Sequence, residues 1–222
     1  MKKLLVYAAF GLAIFSACTS EPQERQLPIL GPRTPDVKMV EGKPVVDTIY
    51  HTIPDFAFLD QDSQWVTPKT VEGKIYVADF FFTSCPSICP KMKSQMLRVY
   101  EKFKGNPNVA LLSHSIDPRH DTVAVLRDYA DRLGVKSDTW HFLTGDRDSI
   151  MDLAQKHYFV TAMQDESVPG GFEHTDGFLL IDEQRRIRGH YHGLDEEDVD
   201  RLMQDMELLL AEQKNKNGQG KK

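Results

Sequence analysis

The residues best placed for chemistry in this chain are Cys85 and Cys89. They sit in Phe80-Phe81-Phe82-Thr83-Ser84-Cys85-Pro86-Ser87-Ile88-Cys89-Pro90, where an apolar, aromatic run stops at a cysteine pair with three residues between. The run reads as a buried strand, and the residues after the pair read as the start of a helix. Two thiols at such a junction can close a disulfide, or they can grip a soft metal ion. As a structural staple the pair is weak, because the short loop it would close removes little entropy from the unfolded chain.

The flanking prolines limit the local geometry. Proline suits the first position of a helix and is costly in the interior, where it removes a donor and clashes with the preceding turn. A regular helix beginning at Pro90, with Cys89 as its N-cap, is therefore the expected arrangement. Both sulfurs then lie near a helix N-terminus, whose free N–H groups and dipole favour thiolate over thiol. Thiolates suit Cu(I) and imidazole suits Cu(II), so a set of two cysteines and one histidine can hold both oxidation states. Of the 8 histidines, His174 stands out, in Glu173-His174-Thr175-Asp176-Gly177 just ahead of the strand-like Phe178-Leu179-Leu180-Ile181. If that strand lies beside the one ending at Phe82, its leading segment faces the cysteine loop. His190 and His192 share one face of a strand by the period of two. They read as exposed strand decoration ahead of a second metal site.

These residues must be positioned by a sheet and its helices. Strand signals fall at Val45–Tyr50, which is expected to pair with the segment around Leu27–Leu30, and in a hairpin formed by Phe56–Leu59 and Trp65–Thr67. Ile75 to Phe82 is a near-continuous apolar run, as for a central strand covered on both faces. A helix is expected over Lys91–Lys104, a strand over Val109–Ile116, and a helix over Asp121–Leu133 closed by Gly134. A short strand at His141–Leu143 precedes a helix over Asp146–His157 with Asp146 as N-cap. Asp117 and Asp121 read as caps for the helix after them, not as metal ligands. Strands at Gly177–Ile181 and Ile187–His192 precede a final helix over Leu194–Leu210. The order implies an α/β domain, a central mixed sheet flanked by helices with an N-terminal β-hairpin extension.

The first residues read as a targeting segment. Lys2 and Lys3 precede an apolar run from Leu4 to Ala17, too short for a spanning helix of about 20 residues. It ends in Phe15-Ser16-Ala17-Cys18, which resembles the lipobox of bacterial lipoproteins, with Phe15 where leucine is usual. Cys18 is then the lipid-bearing residue, and the domain stands in the cell envelope, facing the periplasm or the outside, where disulfides persist. The alternative is an ordinary signal peptide that leaves Cys18 as a thiol. The resulting organisation is a signal peptide over 1–17, a lipid-anchored tether and N-terminal extension over 18–53, the folded domain over 54–212 and a disordered tail over 213–222. The chain of 222 residues carries a formal net charge of −6 and no long basic stripe, which argues against nucleic-acid binding.

Taken together, Gly73–Val77, the Phe80–Pro90 segment, Ser115-Ile116-Asp117-Pro118-Arg119-His120-Asp121-Thr122, Trp140–Gly145 and His174 resemble the Sco/SenC family. The likeness covers about Pro54 to Leu210. It implies a thioredoxin-like fold, a role as copper chaperone in cytochrome c oxidase assembly, and copper ligands at Cys85, Cys89 and His174. The implied recipient is the Cu-A site of cytochrome c oxidase subunit II, or another copper or thiol partner. The competing reading is a thiol–disulfide oxidoreductase, with Cys85 attacking and Cys89 resolving.

Overall fold

A computed structural model describes residues 25–86, 88–164, 172–174 and 176–219, with backbone alone at 162–164, 172–174, 217 and 219. The expected signal peptide and Cys18 lie outside the described residues. In chain order the elements are β1 (Arg33–Val40), β2 (Lys43–Tyr50), β3 (Phe58–Leu59), β4 (Trp65–Val66), β5 (Ile75–Phe81) and α1 (Cys89–Phe103). They continue with β6 (Val109–Ser115), α2 (Val123–Leu133), β7 (Trp140–Leu143) and α3 (Arg147–Asp152), which passes into a π turn at Leu153–His157. Last come β8 (Ala162–Gln164), β9 (Phe172–His174), β10 (Gly177–Ile181), β11 (Ile187–His192) and α4 (Glu196–Gln219).

The central sheet has the order β11-β10-β5-β6-β7. β5, β6 and β7 run parallel, while β10 pairs antiparallel with both β5 and β11. Every residue of β5 and β6 is buried, which is why both read as continuous runs and not as alternating ones. The pleat divides their side chains. Asp79 and Phe81 face α1 and Tyr129 of α2, while Tyr76 and Phe80 face Tyr158 and His114. α1 and α4 lie side by side, joined by Arg98–Asp200 at 2.5 Å and Lys102–Glu207 at 2.9 Å. This is the α/β architecture expected, a mixed sheet between helices.

The cap assignments hold where side chains can reach backbone donors. Asp146 accepts from Ser149 N at 2.8 Å, and Gly134 closes α2 with φ +68°, the left-handed conformation that glycine adopts without strain. Thr122, and not Asp121, caps α2, accepting from Val125 N at 3.4 Å. α1 starts one residue earlier than expected, at Cys89, with Ile88 as N-cap and Pro90 in the first turn.

Two expectations for the termini are corrected. β2 does not pair with the Leu27–Leu30 segment but with β1, in the register Arg33↔Tyr50 to Val40↔Lys43. The Leu27–Leu30 segment runs along β11 instead. Leu30 N donates to Ile187 O at 2.8 Å, and the buried Arg188 guanidinium donates to Leu27 O at 2.7 Å and Pro28 O at 3.1 Å. At the other end α4 continues to Gln219, past the point where a disordered tail was expected. Gln213 is buried and donates to Gly73 O, and Lys216 lies 3.6 Å from Glu183, so the extra turns rest on the loop before β5 and on the β10–β11 turn. Among the described residues no helix is long and apolar enough to cross a membrane.

Candidate metal and thiol site

β5 delivers the cysteine loop. After Phe81 the chain turns, with Cys85 N donating to Phe82 O at 3.3 Å, and enters α1 at Cys89. Both cysteines are thiols and both are nearly covered, Cys85 at 7% exposure and Cys89 at 3%. They border an open cavity of about 380 Å³ that Thr83, Pro90, Lys93 and Tyr129 also line.

The expected thiolate character is not what this environment favours. Burial pushes the Cys89 thiol far up, and a side-chain hydrogen bond with Cys85 adds to the rise. A backbone hydrogen bond at Phe82 and the charge of Lys93 pull the other way without prevailing. The N-terminus of a helix stabilises an anion by a modest amount, whereas removing a thiolate from water costs more. Cys89 therefore rests as a thiol, and either a metal or an attacked disulfide must displace its proton.

The loop is fastened from the β6–α2 side by Asp121, which is fully buried. Its Oδ2 accepts from Thr83 N at 3.0 Å and from Ser115 Oγ at 2.6 Å. Its Oδ1 accepts from the Thr83 hydroxyl and lies 2.9 Å from His120 Nδ1, which raises the His120 pKa. Asp121 thus does not cap α2 as expected. The end of β6 carries it beside the end of β5, and its carboxylate satisfies the polar groups of the turn that leads to Cys85.

His174 ends β9, where Ala162↔His174 is the first pair of the β8–β9 ladder, so it lies on a strand and not in the expected loop. Its side chain is outside the described residues. Its backbone stands three residues before Gly177, and β10 runs antiparallel to β5 with Leu179↔Ala78 and Ile181↔Tyr76. That register puts the start of β10 at the end of the sheet from which the cysteine loop leaves. Among the described side chains no group of three or more cysteine, histidine or carboxylate residues converges as a metal site. His190 and His192 are both exposed on β11 with ring centroids 5.8 Å apart, and His192 Nδ1 lies 3.4 Å from Asp176.

Two charged residues that the motifs do not single out lie under the cysteines. Lys93 is 3% exposed and Asp79 is 1% exposed, with Nζ 3.6 Å from Oδ2. The ammonium sits 3.9 Å from the centroid of Phe81 and 5.0 Å from that of Phe142, a setting that favours a cation on ring faces. Burial lowers the Lys93 pKa, and Asp79 opposes that. Asp79 Oδ1 accepts from Ser113 Oγ, which in turn accepts from Trp140 Nε1 at 2.9 Å. The sequence does carry a signal for both: a lone aspartate in an apolar strand, and a lysine on the apolar stripe of the next helix.

Comparison with known proteins places this architecture. The SCO1/SenC family model matches residues 47–211. The SCO1 protein homolog of Bacillus subtilis is 28% identical over 167 residues, covering 74% of this chain and 86% of its own. The structure of a SCO1/SenC family lipoprotein from Bacillus anthracis superposes with a TM-score of 0.66 at 26% identity, over 72% of this chain and 95% of that one. BsSco, a member of the Sco family of cytochrome c oxidase assembly proteins in which a disulfide switch is described, gives 0.64 at 28% identity, over 72% and 93%. ScoI of Arabidopsis thaliana with copper bound gives 0.58 at 25% identity, over 71% and 98%. The chain belongs to the SCO1/SenC family and has its thioredoxin-like fold.

Proposed function

We propose that this chain is a copper chaperone that carries the metal on Cys85 and Cys89, with His174 as third ligand, to the Cu-A site of cytochrome c oxidase subunit II. The observation that carries the reading is the pair of thiols at the β5–α1 junction, with the start of β10, three residues after His174, at the same end of the sheet. The donor set fits the cargo: two soft thiolates for Cu(I), and an imidazole to retain Cu(II). Relatives with copper bound, and one from the oxidase assembly group, support it. The thiols border an open cavity, which leaves room for a partner's ligands to displace them one at a time. The protein is held at the envelope membrane by lipid on Cys18, after removal of a signal peptide over 1–17. A lipoprotein among the related structures agrees with that.

A second reading, thiol–disulfide exchange, is favoured by the two thiols lying near enough for Cys85 to raise the Cys89 pKa through a side-chain hydrogen bond. The two activities are compatible, because copper loading needs the reduced pair. The test is copper bound per protein in a soluble form starting after Cys18, fully reduced, beside Cys85→Ser, Cys89→Ser and His174→Ala. One tightly held copper per chain, lost in either cysteine variant, is expected. His174→Ala should weaken Cu(II) far more than Cu(I), since two thiolates hold Cu(I) alone. A wild type without tight copper but with a readily reduced Cys85–Cys89 disulfide would establish the exchange reading instead.

A further inference from the structure

Lys93 is a buried cation with no evident structural need. An ammonium at 3% exposure costs several kcal/mol to desolvate, and an apolar side chain of similar volume would pack among the same rings at lower cost. Its ammonium is packed among rings, with Phe81, Phe142, Trp140 and Tyr129 all within 5.8 Å of Nζ. Nor is its ion pair with Asp79 closely made. At 3.6 Å it stands beyond hydrogen-bond distance, and neither Nζ nor Asp79 Oδ2 has a hydrogen-bond partner among the described residues. Asp79 is tied down through its other oxygen by Ser113, which is itself held by Trp140 Nε1.

The helix gives Lys93 a direction. It stands four residues after Cys89 on α1, so the two share one face, and side chains on a helix lean toward its N-terminus. Lys93 therefore leans toward Cys89, and both border the same cavity. When two thiolates hold a monovalent ion, the site gains one net negative charge in a nearly water-free place. Among the buried charges around it are the ammonium of Lys93, the carboxylate of Asp79 paired with that ammonium, and the carboxylate of Asp121 on Thr83.

We infer that Lys93 and Asp79 are an opposed pair that sets how tightly the cysteines hold Cu(I): Lys93 stabilises the bisthiolate-bound metal and Asp79 moderates it. The moderation suits a site that must release its cargo. Neither residue touches the metal; both are positioning residues that act through the field at Cys89.

The inference rests on the copper reading, so the test separates the two. Cu(I) affinity is measured by competition with a chromophoric chelator for the reduced wild type, Lys93→Met, Asp79→Asn and the double variant, each first checked for cooperative thermal unfolding. Lys93→Met should lose about tenfold or more in affinity, the size expected for a unit charge about one helical turn away at an effective dielectric near 20. Asp79→Asn should gain affinity, and the double variant should lie between the two. A purely structural ion pair would move both single variants in the same direction, because each leaves a buried partner uncompensated. Same-direction changes, or none, in a wild type that binds Cu(I) would overturn this inference alone. A wild type without Cu(I) affinity would overturn the copper reading and the inference with it. Should Lys93→Met fail to fold, Asp79→Asn decides by itself: a loss of affinity refutes the pairing.

Discussion

Asp121 offers the sharpest test of how the site is held, because its two nearest replacements should differ in a calculable way. Its carboxylate takes four donors: Thr83 N, Ser115 Oγ, the Thr83 hydroxyl and His120 Nδ1. Asp121→Asn can keep its carbonyl oxygen on Thr83 N and Ser115 and turn its amide to the Thr83 hydroxyl and His120, both of which can also accept. Only the charge assistance is lost, at about 1–2 kcal/mol. Asp121→Ala leaves Thr83 N–H and the buried Ser115 hydroxyl without an acceptor. At about 1–3 kcal/mol for each orphaned group, the total is about 4 kcal/mol. For a domain of this size that corresponds to a fall in Tm of about 10 °C for alanine and about 4 °C for asparagine. Circular dichroism melts measure both. Iodoacetamide labelling of the reduced protein should also quicken in Asp121→Ala, as the turn leading to Cys85 loosens. The His120 pKa, raised in the wild type chiefly by Asp121, should fall in either variant when followed by NMR. Equal melting of the two variants, or an alanine variant within about 2 °C of wild type, would refute the claim that this carboxylate fastens the cysteine loop.

Two further outcomes concern stability. His114 is fully buried against Phe80, and burial pushes its pKa down to about 3. The unfolded chain, titrating near 6.5, takes up the proton first as pH falls, so about 2 kcal/mol of stability should be lost from pH 7 to pH 5; denaturant melts should show most of that loss abolished in His114→Leu. Arg188, 5% exposed between Asp182 and Glu212 and donating to Leu27 O and Pro28 O, should cost about 3–5 kcal/mol when changed to Met. Limited proteolysis should then cut before Leu30, and an uncut Arg188→Met protein would show that the segment is held by other contacts.

The parts legible in the sequence share a physical reason. β5, β6 and β10 are strongly apolar and lie in one sheet, so their local pattern and their tertiary environment agree. Asp146 and Gly134 are legible because a cap is a local bond between neighbours. β1 is hidden because Arg33–Val40 is exposed along almost its whole length and carries Pro35 and Asp36, so neither burial nor alternation marks it. The partner of β2 is hidden for the same reason: a hairpin with no buried face leaves its register to the turn at Glu41–Gly42, both with positive φ. The end of α4 lies beyond the expected point because Gln213 and Lys216 gain their partners, Gly73 and Glu183, only once the chain is folded. Within the site, the cysteines announce themselves by type and spacing. Asp121 does not, since its partners Thr83 and Ser115 come from two other strand ends.

The same contrast explains how a redox fold can hold a metal without a permanently ionised pair. The sequence sets both sulfurs at a helix N-terminus, which by itself argues for thiolate. The tertiary structure then covers them almost completely, and at Cys89 burial prevails and favours the thiol. A covered, protonated Cys89 reacts slowly with adventitious oxidants and electrophiles, because the thiolate is the reactive form. It becomes a strong ligand only when a soft ion supplies the charge that makes ionisation favourable in a dry setting. Lys93 below the pair supplies part of that charge in advance, and Asp79 behind it takes part of it back. Burial thus protects the thiols at rest, and the fixed charges beneath them limit how much of the metal's binding energy burial removes. On the proposed chaperone reading, a site that accepts an ion and gives it up needs both effects at intermediate strength, and the loosely made ion pair at 3.6 Å is a means of holding them there.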